Sequence, residues 1–216
     1  MLSSLSHVLL WLLPLVFAVV LHEVAHGAVA YRLGDPTAAR AGRLTLNPWP
    51  HVDPLGTVIV PLFLVLFGAP FVFGWAKPVP VNFALLRPRR PGMVLVAAAG
   101  PFVNFCLAAV CGVLLHVLPG WIPPGLGGTA AGLVQILLLL LQAAVVVNVV
   151  LGAFNLLPIL PLDGGRVLVG LLPREPARAL ARLEPYGMLF VVLLLATDVL
   201  DRILGPVVRT LLRLFL

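Results

Sequence analysis

From Thr129 to Phe154 the chain runs without one charged residue, and from Gly92 to Leu118 it does so again. Each run exceeds the roughly 20 apolar residues that cross a bilayer core of about 30 Å. Backbone at that depth must satisfy its polar groups internally, in helices or a closed barrel. A third apolar run, from about Ser6 to Leu33, holds His22, Glu23 and His26 in its second half. Composition agrees: 61% of residues are hydrophobic and 10% are charged, against about 45–50% and 25% in a soluble domain. The expectation is an all-α polytopic membrane protein with about 4–6 transmembrane helices. Residues 1–216 are read as one intramembrane domain.

Between the clear runs the sequence leaves choices open. Residues 55–73 are apolar but interrupted by Pro61 and by Gly68-Ala69-Pro70. They read as a full span or as the two arms of a re-entrant segment. The stretch Gly74-Trp75-Ala76-Lys77-Pro78-Val79-Pro80-Val81-Asn82 alternates like a short edge strand, where missing proline donors do no harm. It suggests a short membrane-associated β-hairpin. Asp163-Gly164-Gly165 opens a short helix to Leu172, and a last span is expected from about Tyr186 to Leu204. The tail 206–216 is amphipathic, a pattern suited to the membrane surface. The run before Ala28-Val29-Ala30 lacks a preceding basic residue, so it reads as an uncleaved span rather than a signal peptide.

The net charge of +6 reads as positive-inside loops, not as a nucleic-acid surface. Basic residues cluster in 32–43, 77–90 and 166–182, while 119–128 has none. The rule then puts the three basic loops in the cytoplasm. It requires 55–73 to enter and leave on one side, which favours the re-entrant reading. Cys106 and Cys111 lie five apart in one apolar run, so neither a disulfide nor a metal site is expected of them.

The sharpest motif is His22-Glu23-Val24-Ala25-His26. On a helix the two histidines share a face about 6 Å apart, a spacing that suits two ligands on one tetrahedral zinc. Glu23, next to them, can act as general base on a zinc-bound water. Hydrogen bonding between helices is the plainer account. Three ionisable groups in five residues of a membrane helix are costly, however, and argue for function. A catalytic zinc usually takes three protein ligands. Among the eight acidic residues, Asp163 stands alone between Pro158-Ile159-Leu160-Pro161-Leu162 and Gly164-Gly165, where small residues let backbone or a metal approach. It reads as the third ligand, although its position also fits a helix N-cap.

The set Leu21–Ala30, Ala99-Gly100-Pro101-Phe102-Val103-Asn104 and Asn155–Gly165 resembles the site-2 proteases, intramembrane zinc metalloproteases of peptidase family M50. The likeness runs from the first helix to Arg166 and extends to the compact bacterial members. Leu160 stands where many relatives have proline. The resemblance implies one zinc on His22, His26 and Asp163, with Glu23 activating water. It also implies roles near the metal for Asn104 and Asn155, whose amides can hold a substrate carbonyl or an oxyanion, or simply join helices. Asn148 reads as helix-joining. The implied activity is hydrolysis of peptide bonds in or near transmembrane segments of single-pass proteins, in a bacterial inner membrane, with the site toward the cytoplasm. Many relatives carry a PDZ or CBS domain, for which this chain is too short. The competing accounts are a metal transporter and a non-catalytic membrane zinc protein using the same His and Asp residues. A fourth ligand from His51 would favour the latter, but His51 and Asp53 read as plain loop residues.

Overall fold

The computed structural model describes residues 2–68, 74–123, 125–197 and 199–216, with side chains from residue 10 onward. All the regular structure among them is helical. Three helices are long and apolar enough to cross a membrane: α1 (Leu2–Arg32), α4 (Arg89–Val117) and α5 (Gly128–Asn155). Between and after them come the shorter α2 (Thr37–Arg40), α3 (Val60–Leu66), α6 (Asp163–Leu171), α7 (Arg174–Ala181), α8 (Glu184–Leu195) and α9 (Val199–Phe215).

The three long helices pack against one another and form the centre of the molecule. Small residues set the approach. Gly152 of α5 lies under the Phe105 ring of α4, and Gly112 of α4 meets the backbone of Phe215. In lipid, close packing of this kind supplies the attraction that the hydrophobic effect supplies in water. Large apolar side chains such as Leu13, Phe102, Val113 and Leu133 point outward, as a lipid-facing belt requires.

The expected boundaries of the three long helices are met within a few residues. The expected 4–6 spans are not: among the described residues three helices qualify. The last expected span is divided instead. α8 has 12 residues and reaches only about 18 Å, and the chain turns at Ala196 before α9 begins. Nor does the tail stand apart on a surface. Val208, Leu211, Leu212 and Phe215 of α9 cover Ala108, Val145 and Val149 of α4 and α5. An amphipathic pattern shows which face wants cover, and here protein supplies it. Asp198 and residues 69–73 lie outside the described residues.

The two flanks of the 55–73 excursion, Gly56–Thr57 and Trp75, are held side by side. A π-helical turn, Pro54–Ile59, leads into α3, with Asp53 accepting from Gly56 N–H at 2.7 Å. Trp75 N–H then returns to Gly56 O at 3.1 Å, and Thr57 Oγ1 donates to Trp75 O at 2.9 Å. Contact between the two flanks is what the re-entrant reading requires.

No strand occurs among the described residues, so the expected hairpin is not seen. Residues 74–82 run extended but bond mainly to side chains. Arg43 donates to Lys77 O at 2.6 Å, and Asn82 N–H donates to Asp35 Oδ2 at 2.6 Å. Pro78 and Pro80 have no donors, which weakens any ladder. Asp35 is the anchor of this strap. α1 ends in a Schellman turn, with Gly34 at φ 98° and Asp35 N–H reaching Ala30 O at 2.9 Å, and this turn carries Asp35 inward. There it is fully buried and also accepts from the Thr37 N–H and hydroxyl. Asp35→Ala strands these donors and should cost about 1–3 kcal/mol, read as a lowered unfolding midpoint in detergent.

Candidate metal centre

His22 and His26 lie one turn apart on α1, their rings edge to face at 84°. Both are buried. Each ring is held from behind by α4. His26 Nδ1 lies 2.7 Å from Val96 O, and a carbonyl can only accept, so Nδ1 carries the hydrogen. His22 Nδ1 lies 2.6 Å from Asn104 Oδ1. The Asn104 amide is fixed in turn, since Nδ2 donates to Asn148 Oδ1 at 2.8 Å and to Ala18 O at 3.3 Å. His22 therefore also donates through Nδ1. In the neutral rings both Nε2 atoms are then bare acceptors.

The third element is α6. Gly164 and Gly165 let its first turn settle on residues 156–160. A Cβ on Gly164 would strike the Leu156 and Leu157 carbonyls, and one on Gly165 would lie 2.5 Å from Leu160 N. The seat aims Asp163 at the histidines. α6 begins at Asp163 itself, with Leu162 in the capping position, so the capping role does not apply. The Asp163 carboxylate faces both imidazoles.

Three acceptors thus converge. The Nε2 atoms are 3.0 Å apart, and Asp163 Oδ2 is 3.1 Å from His22 Nε2 and 3.3 Å from His26 Nε2. Oδ2 is buried and has no hydrogen-bond partner. Lone pairs crowded together out of water are costly unless a cation takes them. Ligands about 2.0–2.1 Å from a tetrahedral zinc stand roughly 3.3 Å from one another, so this triangle has the right size. It is the one such group of His, Cys, Asp and Glu among the described residues. A Cβ on Gly100 would fall 2.5 Å from His26 Nε2 and 2.6 Å from His22 Nε2, so glycine here keeps the rings where they are.

The other expected residues fall differently. Glu23, half-buried, accepts from Val79 N–H through Oε2 at 2.7 Å. The strap 77–82 therefore passes beside the metal triangle, a contact that local sequence could not disclose. Asn104 is fully buried with both amide atoms engaged by His22, Asn148 and Ala18. Asn148 joins helices as expected and, through Asn104, also steadies the His22 ring. Asn155 ends α5, with Nδ2 donating back to Leu151 O at 3.0 Å. His51 is not in the triangle, as its Nε2 faces Thr45 O at 3.1 Å. Val96 acquires a role, through its backbone carbonyl, that its residue type gave no hint of.

Relatives settle the family. A Bacillus subtilis (strain 168) protein named "Putative zinc metalloprotease YwhC" is 36% identical over 197 residues, covering 91% of this chain and 84% of its own. The chain belongs to peptidase family M50. The model of peptidase family M50 matches residues 129–196 of this M50 chain, a region that contains Asn155 and Asp163. A Mycolicibacterium smegmatis protein named "Putative zinc metalloprotease Rip2" is 32% identical over 192 residues, covering 89% of this chain and 67% of its own. A protein of that name from Mycobacterium tuberculosis (strain ATCC 25618 / H37Rv) is 31% identical over 191 residues. No solved structure matches.

Proposed function

We propose that this membrane metalloprotease cuts peptide bonds in or near transmembrane segments of single-pass proteins, with zinc held by His22, His26 and Asp163. The observation that carries this reading is the triangle of bare acceptors, 3.0–3.3 Å on a side, with a carboxylate on the residue next to His22. Bound zinc would polarise the scissile carbonyl and acidify the attacking water. Glu23 takes the proton from that water on its carboxylate and hands it to the departing amine nitrogen. Val96 and Asn104 hold the two rings with Nε2 facing inward, and such partners tune ligand basicity. Asn155, at the end of α5, is the amide available to steady the oxyanion.

A membrane helix hides its peptide groups in its own hydrogen bonds, so the substrate unwinds locally before cleavage. Charge supports an orientation with the N-terminus outside and the three basic loops in the cytoplasm. The hydrogen bond from Trp75 N–H to Gly56 O supports a return of the chain to that side ahead of the loop 77–90. The site then opens toward the cytoplasm, in a bacterial inner membrane. A transporter would need further polar stations along a path, and no second candidate metal group is found among the described residues.

The test is cleavage of a single-span polypeptide in lipid vesicles. Stripping metal with a chelator should abolish it, and one equivalent of zinc should restore it. Undiminished cleavage by zinc-free protein would refute the proposal.

A further inference from the structure

A cavity of about 450 Å³ lies between α1 and a wall that includes Gly56, Thr57, Gly74 and Trp75, a size within the ordinary range for ligand sites. Its inner wall is the face of α1 that carries Glu23. Val19 and Val20 line it, four and three residues before Glu23, which places them one turn away on the same side. Leu151 of α5 also lines it, one turn before Asn155. Gly56 and Trp75 line the opposite side, and a Cβ on Gly56 would strike the indole. The cavity therefore adjoins the proposed site through lipid-depth residues of α1 and α5.

One group in this apolar wall is out of place. His51 lines the cavity, is only 2% exposed, and its Nδ1 is buried with no partner. Its Nε2 faces the Thr45 carbonyl and must carry the hydrogen. In the neutral ring Nδ1 is thus an acceptor awaiting a donor. Thr57 and Trp75 also bring polar side-chain groups to the wall; Thr57 is committed, donating to Trp75 O and accepting from Asp53 N–H. An unwound transmembrane segment offers what is missing: apolar side chains, and backbone N–H groups that have just lost their helical acceptors.

We propose that this cavity is a substrate subsite that takes a large apolar side chain beside the scissile bond, while His51 Nδ1 accepts a backbone N–H freed by unwinding. The inference rests on the peptidase reading above. His51 is then a binding and specificity residue, not a loop residue.

Two conservative variants separate the roles of the two ring nitrogens, with the full chain in vesicles and a single-span host polypeptide that the wild type cleaves. His51→Gln keeps a donor for Thr45 at the ε position and removes the δ acceptor. His51→Asn keeps an acceptor at the δ position. The Gln variant should raise KM by about tenfold with kcat and zinc content unchanged, and the Asn variant should recover most of that loss. Val16→Phe, on the same wall but two turns from Glu23, should shift preference beside the cut from Phe toward Ala. A wild-type KM in the Gln variant, a loss in the Asn variant as large as in the Gln variant, or an unchanged side-chain preference in Val16→Phe would each overturn the subsite. None of these touches the peptidase reading, which fails separately if the wild type cleaves no single-span polypeptide.

Discussion

Glu23→Gln should lower peptide-bond hydrolysis by about 10²–10⁴-fold, the usual contribution of a positioned general base, while leaving one zinc per chain. The amide is close in shape to the carboxylate and keeps an oxygen for Val79 N–H, which Glu23 accepts at 2.7 Å. The strap 77–82 should therefore stay in place, and the loss should fall on kcat. Single-turnover cleavage with zinc measured on the same sample reads both quantities. A Gln variant that cleaves like the wild type would remove Glu23 from the chemistry. One that loses zinc would make it part of the metal shell.

The second large effect is on metal affinity, and two residues should differ in degree. Asp163→Ala removes one of three converging acceptors and should abolish stoichiometric zinc and all cleavage with it. Asn104→Ala leaves the triangle but frees the His22 ring, and should weaken zinc by about 10–100-fold, as loss of such a supporting partner does. Stability of the metal-free protein should move the other way for Asp163. Its Oδ2 is a buried anionic atom without a hydrogen bond, and removing such a group relieves an unpaid desolvation cost. Zinc lost without loss of metal-free stability is the signature of a ligand rather than a structural prop. Competition with a chromogenic chelator and unfolding in detergent give the two readings.

What could be read in the sequence, and what could not, divides along range of interaction. α1, α4 and α5 were legible because an uninterrupted apolar run admits one solution in lipid. His22 and His26 were legible because helix geometry alone puts residues four apart on one face. Asp163 was legible as an acid without an evident surface role, seated between prolines and glycines. The strap was not. Its alternation suggested a strand, yet its donors go to Glu23 and Asp35, residues 56 and 47 positions away, and no local pattern reports such partners. His51 shows the same limit, since a loop histidine becomes informative only when its second nitrogen is seen buried and unmet. For Asn104, the sequence allowed contact with substrate or contact with protein, and the partners seen are His22, Asn148 and Ala18. The α9 pattern gave the apolar face but not its cover, which is the middle of α4 and α5.

The central claim is that one zinc sits on two imidazole nitrogens and one carboxylate oxygen, contributed by His22, His26 and Asp163. X-ray absorption at the zinc edge, on protein purified from membranes with its native metal, tests this most directly. The account predicts one zinc per chain, two imidazole scatterers, oxygen in the remaining positions and no sulfur, with the imidazole signal halved in His26→Ala. Sulfur from Cys106 or Cys111 in the first shell, or a spectrum unchanged by His26→Ala, would contradict it.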